Sequence, residues 1–488
     1  MPRPAARVIL AFVTLVIPSG ASLAQGAAAG LTSADSALVG RILLAEDARD
    51  SAAAALAEGA LHADARVREL ALRARGRITD PKFGQRTALA PLPPPVAWDE
   101  PAWRLRLRAL TQAREDCAAL GRALADESWP VRMRAAALLR EPCAGDTATV
   151  ATLRGWVDQA SATTTASAVP WQGSAQALVA LARVDPQGAR PRIRRLASHA
   201  TWSLRQYAAR AAGVVADTAT LRTLARDADD NVAEAAIEQL AKLVGHAEDA
   251  TYLAALDGRG VQAVRVAAIA LKGSPRPDVA PAARAAFERL VALDNASARD
   301  ARLALLDAAG LPPEADRPPT TRLTLSRDEA AEAVALALGR EVRLRVTMDP
   351  ASGGGSFVVR LRGDAAPIMG ARLLALVRRG SYDGLTWHRV EHDFVIQGGS
   401  PGANEYVGAD RYLRDELGGV SHARGTLGMS TRGHDTGDAQ WFVNLRDNRR
   451  LDADYTVWGE VVEGMDVVDD VLEGARIARI AVEAGRRE

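Results

Sequence analysis

Gly384-Leu-Thr-Trp-His-Arg-Val-Glu-His-Asp-Phe-Val-Ile-Gln-Gly-Gly399 brings one guanidinium, one carboxamide and several large apolar groups within a few residues of each other. Leu385 to Val390 and Phe394 to Gln397 are rich in β-formers and bounded by Gly384 and by Gly398-Gly399. They read as two strands joined by the polar turn Glu391-His392-Asp393. A long helix does not fit between those glycines. In strand periodicity Trp387 and Arg389 share one side, as do Val395 and Gln397, which sets a cation and an amide beside apolar surface. Such a site suits an uncharged, polar, extended ligand. His388-x-x-Glu391-His392 also fits a zinc-peptidase helix, but that chemistry needs both histidines on one helical face, which the β-rich context opposes.

Working outward, further blocks follow in order. Tyr382-Asp383-Gly384 precedes the stretch. Downstream stand Gly425-Thr-Leu-Gly-Met-Ser430, Ala439-Gln-Trp-Phe-Val-Asn444, Leu451-Asp-Ala-Asp-Tyr-Thr-Val-Trp-Gly459 and Val461-Val-Glu-Gly-Met-Asp-Val-Val468. Together with Trp387-His388-Arg389 and Asp393 to Gly399, these blocks resemble the cyclophilins, peptidyl-prolyl cis-trans isomerases built on a closed antiparallel eight-stranded β-barrel. Several ordered blocks are far more specific than one short motif.

The resemblance implies roles. Arg389 matches the family's catalytic arginine and Gln397 the residue that orients the substrate carbonyl. Phe394, Val395, Met429, Phe442 and Leu451 match the pocket that grips the proline ring. His388 and Gln440 match further substrate-contacting positions, and the backbone of Ser430-Thr431 the segment that hydrogen-bonds the residue before proline. The sequence departs from the best-known eukaryotic pattern at Arg450, where Trp is usual, at Tyr455, where His is usual, and at Thr431, where Asn is usual. Losing the indole at 450 bears on cyclosporin-type inhibitors more than on catalysis. Trp387, Trp441 and Trp458 replace phenylalanines and add volume to a core or pocket wall. The implied partners are proline-containing unfolded or extended polypeptides; no cofactor and no metal is implied.

Upstream, from about Leu31 to Ala309, the chain is rich in Ala, Leu and Arg and helical in period. An apolar-Arg pair opening an Ala-rich amphipathic helix recurs at Val67-Arg68, Val131-Arg132, Leu204-Arg205, Val264-Arg265 and, more loosely, at Val232 and Ala301-Arg302. The later copies lie roughly 28 to 37 residues apart and the earlier gaps are about twice that, as when degenerate copies intervene. This resembles a HEAT-type array, whose helix pairs bury their apolar faces only by stacking into an α-solenoid. Such arrays hold partners on long concave surfaces. Residues 79–103 read as an extended crossing, 160–173 as an exposed loop, and the four prolines of 312–319 as a boundary. Ser326 then caps an amphipathic helix, and 342–346 and 357–361 begin the strands.

The expected organisation is a signal peptide over 1–24, a HEAT-like α-helical repeat domain over 25–311, a Pro-rich linker and helix over 312–340, and a cyclophilin-like barrel over 341–488. In the first of these Arg3 and Arg7, the apolar run from Val8 to Ile17 and the small residues before Ala24 have the order of a secretory signal, and the run is too short to span a membrane. A periplasmic or secreted location follows as an expectation. There Cys117 and Cys143, the two cysteines present, either pair or remain buried thiols. A net charge of +1 over 488 residues opposes a general nucleic-acid binder. His422 and His434 read as loop residues, and Asp466 to Glu473 as the solvated face of a short helix. The isomerase reading has one rival of another class, a non-catalytic adaptor whose barrel only binds proline peptides.

Overall fold

The computed structural model describes residues 31–80, 92–160, 169–257, 259–319 and 325–483. The expected signal peptide lies outside them, as do 161–168 of the expected loop. Among the described residues no helix is long and apolar enough to cross a membrane.

Three helices come first: α1 (Ser33–Ala48), α2 (Ala54–Ala60) and α3 (Ala65–Thr79). Thr32 and Asp35 exchange hydrogen bonds in a capping box at α1, and Asp64 caps α3, so each helix starts where its orphan N–H groups find an acceptor. Their buried face (Val39, Ile42, Leu56, Val67, Leu70) does not join the helices that follow. It shares one continuous core with the C-terminal strands. Residues 92–101 then run without regular structure along the outside of those strands, where Arg362 Nη2 donates to Pro93 O at 2.8 Å and Trp98 Nε1 donates to Val461 O at 3.1 Å.

A separate array follows. Its helices are α4 (Ala102–Gln112), α5 (Cys117–Ala123), α6 (Trp129–Leu138), α7 (Thr147–Gln159), α8 (Trp171–Val184), α9 (Pro186–Leu196) and α10 (Trp202–Val214). It continues with α11 (Thr218–Leu224), α12 (Asp230–Val244), α13 (Asp249–Ala255), α14 (Val261–Leu271), α15 (Val279–Ala292) and α16 (Arg299–Ala308). Residues 171–173, read as loop from the sequence, open α8 directly after Pro170, whose fixed φ suits a helix entry. The even-numbered helices α4 to α16 stack side by side in chain order, each backed by odd-numbered neighbours, and bury one core from Leu107 to Ala309. The apolar-Arg pairs sit near the starts of α3, α6, α10, α14 and α16; α4 opens on a further such pair, Trp103-Arg104, while α8 and α12 lack one.

The recurring arginine has a job the periodicity alone does not reveal. Arg68 donates to His62 O and Ala63 O at 2.6 and 2.5 Å, Arg205 to His199 O and Ala200 O at 2.9 and 3.1 Å, and Arg302 to Asn295 O at 3.1 Å. Arg132 does the same with Asp126 O. Each guanidinium thus reaches back five to seven residues and satisfies turn carbonyls that have no intrahelical partner. Cys117 and Cys143 form a disulfide with Cα atoms 5.3 Å apart, tying the start of α5 to the turn after α6. The bridge spans 26 residues, so the paired Cys117→Ser and Cys143→Ser variant is expected to lose about 3 kcal/mol of array stability in chemical denaturation.

The chain then returns to the first core. α17 (Arg327–Ala337), capped by Ser326 and Glu329 as expected, packs on α1 and on α18 (Pro367–Arg378). Eight strands follow: β1 (Arg343–Met348), β2 (Ser356–Leu361), β3 (Arg389–Val390), β4 (Val395–Gly398), β5 (Thr426–Met429), β6 (Trp441–Asn444), β7 (Val457–Glu463) and β8 (Ile477–Val482). They form one antiparallel sheet in the order β3-β4-β6-β5-β7-β2-β1-β8. The sheet curls until its two ends meet: Trp387 N–H donates to Ala475 O at 2.9 Å and Ile477 N–H to Leu385 O at 2.8 Å. Trp387, Trp441 and Trp458 fill the interior edge to face, with centroids 4.9 and 5.5 Å apart, so all three belong to the core and none to a pocket wall.

The even-numbered row of the array grips this barrel. From α4, Arg104 donates to His392 O at 2.7 Å, Leu445 O at 3.0 Å and Asp469 Oδ1 at 2.9 Å, with its side chain fully buried. Tyr207 of α10 donates to Glu473 Oε2 at 2.7 Å. Asn231 of α12 donates to Gly402 O at 3.0 Å, and the Arg265 guanidinium of α14 lies 3.8 Å from the centre of the Tyr406 ring. The acidic segment after Met465 keeps Asp466 and Asp470 exposed, as a solvated helix face does, but turns Asp469 and Glu473 to the junction. Asp469 and Glu473 are held by cations and a phenol across the junction, Asp469 by both Arg104 and Arg424.

Candidate functional site

Sheet register builds the site. Arg389 of β3 lies directly across from Gln397 of β4, Gln397 across from Phe442 of β6, and Phe442 across from Gly428 of β5. Directly opposed residues of an antiparallel pair share a face, so these four positions form a row across the outer surface of the barrel. Gly428 is required there: a Cβ would sit 2.2 Å from the Phe442 ring, which lies over it. Gly399 follows the end of β4 at φ +88°, where a Cβ would meet Ala439 O at 2.6 Å. Trp387 does not share the Arg389 face as strand alternation implied. The chain leaves strand conformation between the bridge at Thr386 and β3, so the two-residue period resets and the indole turns into the core.

Over this row lies a cavity of about 240 Å³. Phe394, Val395, Phe442, Leu451 and Tyr455 give it apolar walls, and Arg389, Gln397, Ser430 and Thr431 its polar side. Gln397 is buried and its Nε2 donates to Ser430 Oγ at 3.0 Å and to Gln440 Oε1 at 3.1 Å, which fixes the amide and turns its Oε1 toward Arg389 Nη1 at 3.4 Å. The remaining expected residues surround the cavity without lining it. Gln440 stands behind Gln397 and donates to Val407 O at 3.0 Å. Met429 is fully buried in the interior, because it lies one strand position beyond Gly428 and so faces the other way. Arg450 stacks its guanidinium 4.4 Å from the centre of the Phe394 ring, which gives the substituted position a cation–π contact in place of indole packing. His388 is largely shielded and burial holds its imidazole down to about 4, so it is neutral at pH 7.

Residues 388–392 occupy β3 and its turn, with no helix to align His388 and His392 on one face. Burial holds His392 down to about 3.

The structure adds residues that sequence reading missed. Glu405 and Tyr406 line the cavity, and Glu405 Oε1 pairs with Arg389 Nη1 at 3.1 Å. No local pattern marks them, because their position depends on the loop 401–412 resting on α12, α14 and the turn 294–297. Arg432 also lines the cavity and pairs with Asp300 of α16 at 3.0 Å; its place directly after Thr431 was the available signal. His422 is a pocket support, not a loose loop residue. It is fully buried, stacks on Phe442 with centroids 5.7 Å apart, and bonds Tyr455 O at 3.1 Å and Asn444 Nδ2 at 3.1 Å.

The arrangement offers a fixed guanidinium and amide at the rim of an apolar hollow the size of a small ring. It has neither an activated nucleophile nor, among the described residues, a cluster of metal-binding side chains. Residues 345–481 match the family described as cyclophilin type peptidyl-prolyl cis-trans isomerase. A peptidyl-prolyl cis-trans isomerase of Acinetobacter baylyi is 36% identical over 125 residues, 24% of this chain and 66% of that protein. The peptidyl-prolyl cis-trans isomerase-like 1 of Rhizopus delemar is 37% identical over 119 residues, 23% of this chain and 72% of the relative. Peptidyl-prolyl cis-trans isomerase B of Bacillus subtilis is 33% identical over 132 residues, 27% of this chain and 92% of the relative.

Proposed function

Since this chain belongs to the cyclophilin-type peptidyl-prolyl cis-trans isomerases, we propose that it catalyses rotation about Xaa-Pro bonds of unfolded or extended polypeptides at the Arg389 cavity. The observation that carries this reading is the register row that sets the Arg389 guanidinium and the Gln397 amide at the edge of the Phe394, Phe442 and Leu451 hollow. Rotation crosses about 18 to 20 kcal/mol because twisting the amide destroys its resonance. As the C–N bond loses double-bond character, the prolyl nitrogen pyramidalises and gains a lone pair. A guanidinium fixed beside it stabilises the twisted state and neither planar one, which is the condition for acceleration.

The apolar hollow holds the ring, while Gln397, its Nε2 held by Ser430 and Gln440, orients the Arg389 guanidinium through its Oε1. Ser430 N–H is taken by Gln440 O at 2.9 Å, so among backbone N–H donors of this segment hydrogen bonding to the residue before proline falls to Thr431, with the Ser430 carbonyl as acceptor. Exchange NMR on a short Xaa-Pro peptide tests the assignment with the full chain. Acceleration is the expected result, and peptide binding without acceleration would make the barrel an adaptor.

One observation favours that second reading, the Glu405 carboxylate already paired with Arg389. Both side chains are more than a third exposed, so the pair is weak and its removal changes little beyond the availability of the guanidinium. Glu405→Gln is expected to raise kcat/KM by about two- to fivefold. An adaptor would show no turnover in either form.

The proposal extends to exported clients on the strength of residues 1–24, whose basic, apolar and small-residue order is that of a secretory signal. Uncatalysed isomerisation takes roughly 10 to 100 s, long enough for a folding helper outside the cytoplasm to matter. Protein recovered from the periplasm or medium is expected to start at Gln25; an intact Met1 on it would remove the support.

A further inference from the structure

A second cavity, of about 520 Å³, lies between α4, α6, α8 and α10 on one side and the β3–β4 turn on the other. It touches the isomerase cavity, since Phe394 lines both. Its helical wall combines apolar groups (Leu107, Met133, Ala137) and uncharged hydrogen-bonding ones (Thr111, Gln112, Gln176) with two arginines, Arg108 and Arg134, that are both engaged by partners. That mixture suits an extended main chain with varied side chains, which needs backbone partners and apolar contact without a fixed sequence.

The walls are also pinned apart at their ends. Arg108 Nε donates to Asp393 Oδ1 at 2.5 Å and Arg104 holds His392 O, while Tyr207 Oη and Gln172 Nε2 bond Glu473 Oε2 and Glu473 O at 2.7 and 2.6 Å. Between those anchors the groove is a fixed channel, and within it the buried His392 Nδ1 has no hydrogen-bond partner. Arg134 lines the channel too, its Nη2 donating at 2.9 Å to the Thr111 hydroxyl.

We propose that this groove is a subsite for the polypeptide flanking the Xaa-Pro bond, so that a substrate held at Phe394 continues between the helical array and the β3–β4 turn. The inference rests on the isomerase reading and adds a substrate class to it: long unfolded chains are preferred over short peptides. A few extended residues fit such a volume, and each gains contacts the barrel alone does not offer.

The test compares the full chain on two substrates, a tetrapeptide with one Xaa-Pro bond and a reduced, carboxymethylated protein whose refolding is limited by proline isomerisation. Ala137→Trp fills the middle of the groove. Gln112→Trp, at an exposed position, narrows it with little risk to folding. The expected result is a kcat/KM on the unfolded protein that falls five- to tenfold in both variants, with tetrapeptide turnover within twofold of wild type. Unchanged turnover of the unfolded protein in Gln112→Trp overturns the subsite. So does a variant that alters the sedimentation coefficient and not the length preference, since the groove then joins two copies of this chain. No tetrapeptide turnover by the wild type strikes the isomerase reading instead.

Discussion

Replacing Arg389 by alanine is expected to lower kcat/KM for a short Xaa-Pro peptide by about 10²- to 10³-fold, the usual loss when one fixed charge-stabilising donor is removed from a transition state. The argument is differential. A planar prolyl bond keeps its nitrogen lone pair in amide resonance and offers the guanidinium little, whereas the twisted bond offers it a localised pair. Peptide affinity should therefore change far less than turnover, because Phe394, Phe442 and Leu451 still hold the ring. The fold should survive, since the Arg389 side chain is 37% exposed and its partners are the half-exposed Glu405 and a long contact to Gln397. Arg389→Lys should recover only part of the rate, as an ammonium cannot bridge Gln397 and the substrate with a planar fork. An alanine variant with wild-type turnover would remove Arg389 from the mechanism.

The second large effect concerns Arg104, which is not at the site. Its fully buried guanidinium ties α4 to His392 O, Leu445 O and Asp469. Asp469 and Leu445 O keep Arg424 as a partner, with bonds of 2.6 to 2.8 Å, so truncation does not strand a naked carboxylate. What it strands is His392 O, together with the packing of the guanidinium over Trp103 at 4.7 Å. Bonds from a charged donor contribute about 1.5 to 3 kcal/mol each, so Arg104→Met is expected to cost about 3 kcal/mol in chemical denaturation, less than the loss of a sole buried counter-charge. Arg104→Met combined with Arg424→Met should exceed the sum of the singles, because only then is Asp469 buried without a cation. Additive effects would show that Asp469 is solvated in the native protein.

How far the sequence revealed these features depends on how local they are. The strands around Gly384 to Gly399, the Ser326 cap and the placing of a guanidinium and an amide beside apolar surface depend on residues within one hairpin or one helical turn, and they were legible; the register that opposes Arg389 and Gln397 was not. The face of Trp387 was misjudged because a strand period assumes an unbroken strand, and the break at 387–388 is imposed by closure of the sheet onto 474–477. Glu405, His422 and Asp469 were misjudged or missed for a related reason. Their neighbours in space come from 16 to more than 300 residues away, and a carboxylate that meets Arg104 looks the same in sequence as one that meets water. The repeat could be read because each copy is local; where its inner surface points could not. That surface, expected to be free for partners, largely holds the chain's own barrel.

The shared core of α1 to α3 with α17 and the strands has a consequence for the order of events during synthesis. These helices leave the ribosome before the array, and the surface that covers Val39, Ile42 and Leu70 does not exist until residues beyond 325 have been made. The array from 102 to 308 is meanwhile complete in itself and has mostly neighbour-to-neighbour contacts, so it can fold as it emerges. The newborn chain therefore carries an ordered stretch between two halves of an unfinished core, and α1 to α3 wait for the strands that complete it.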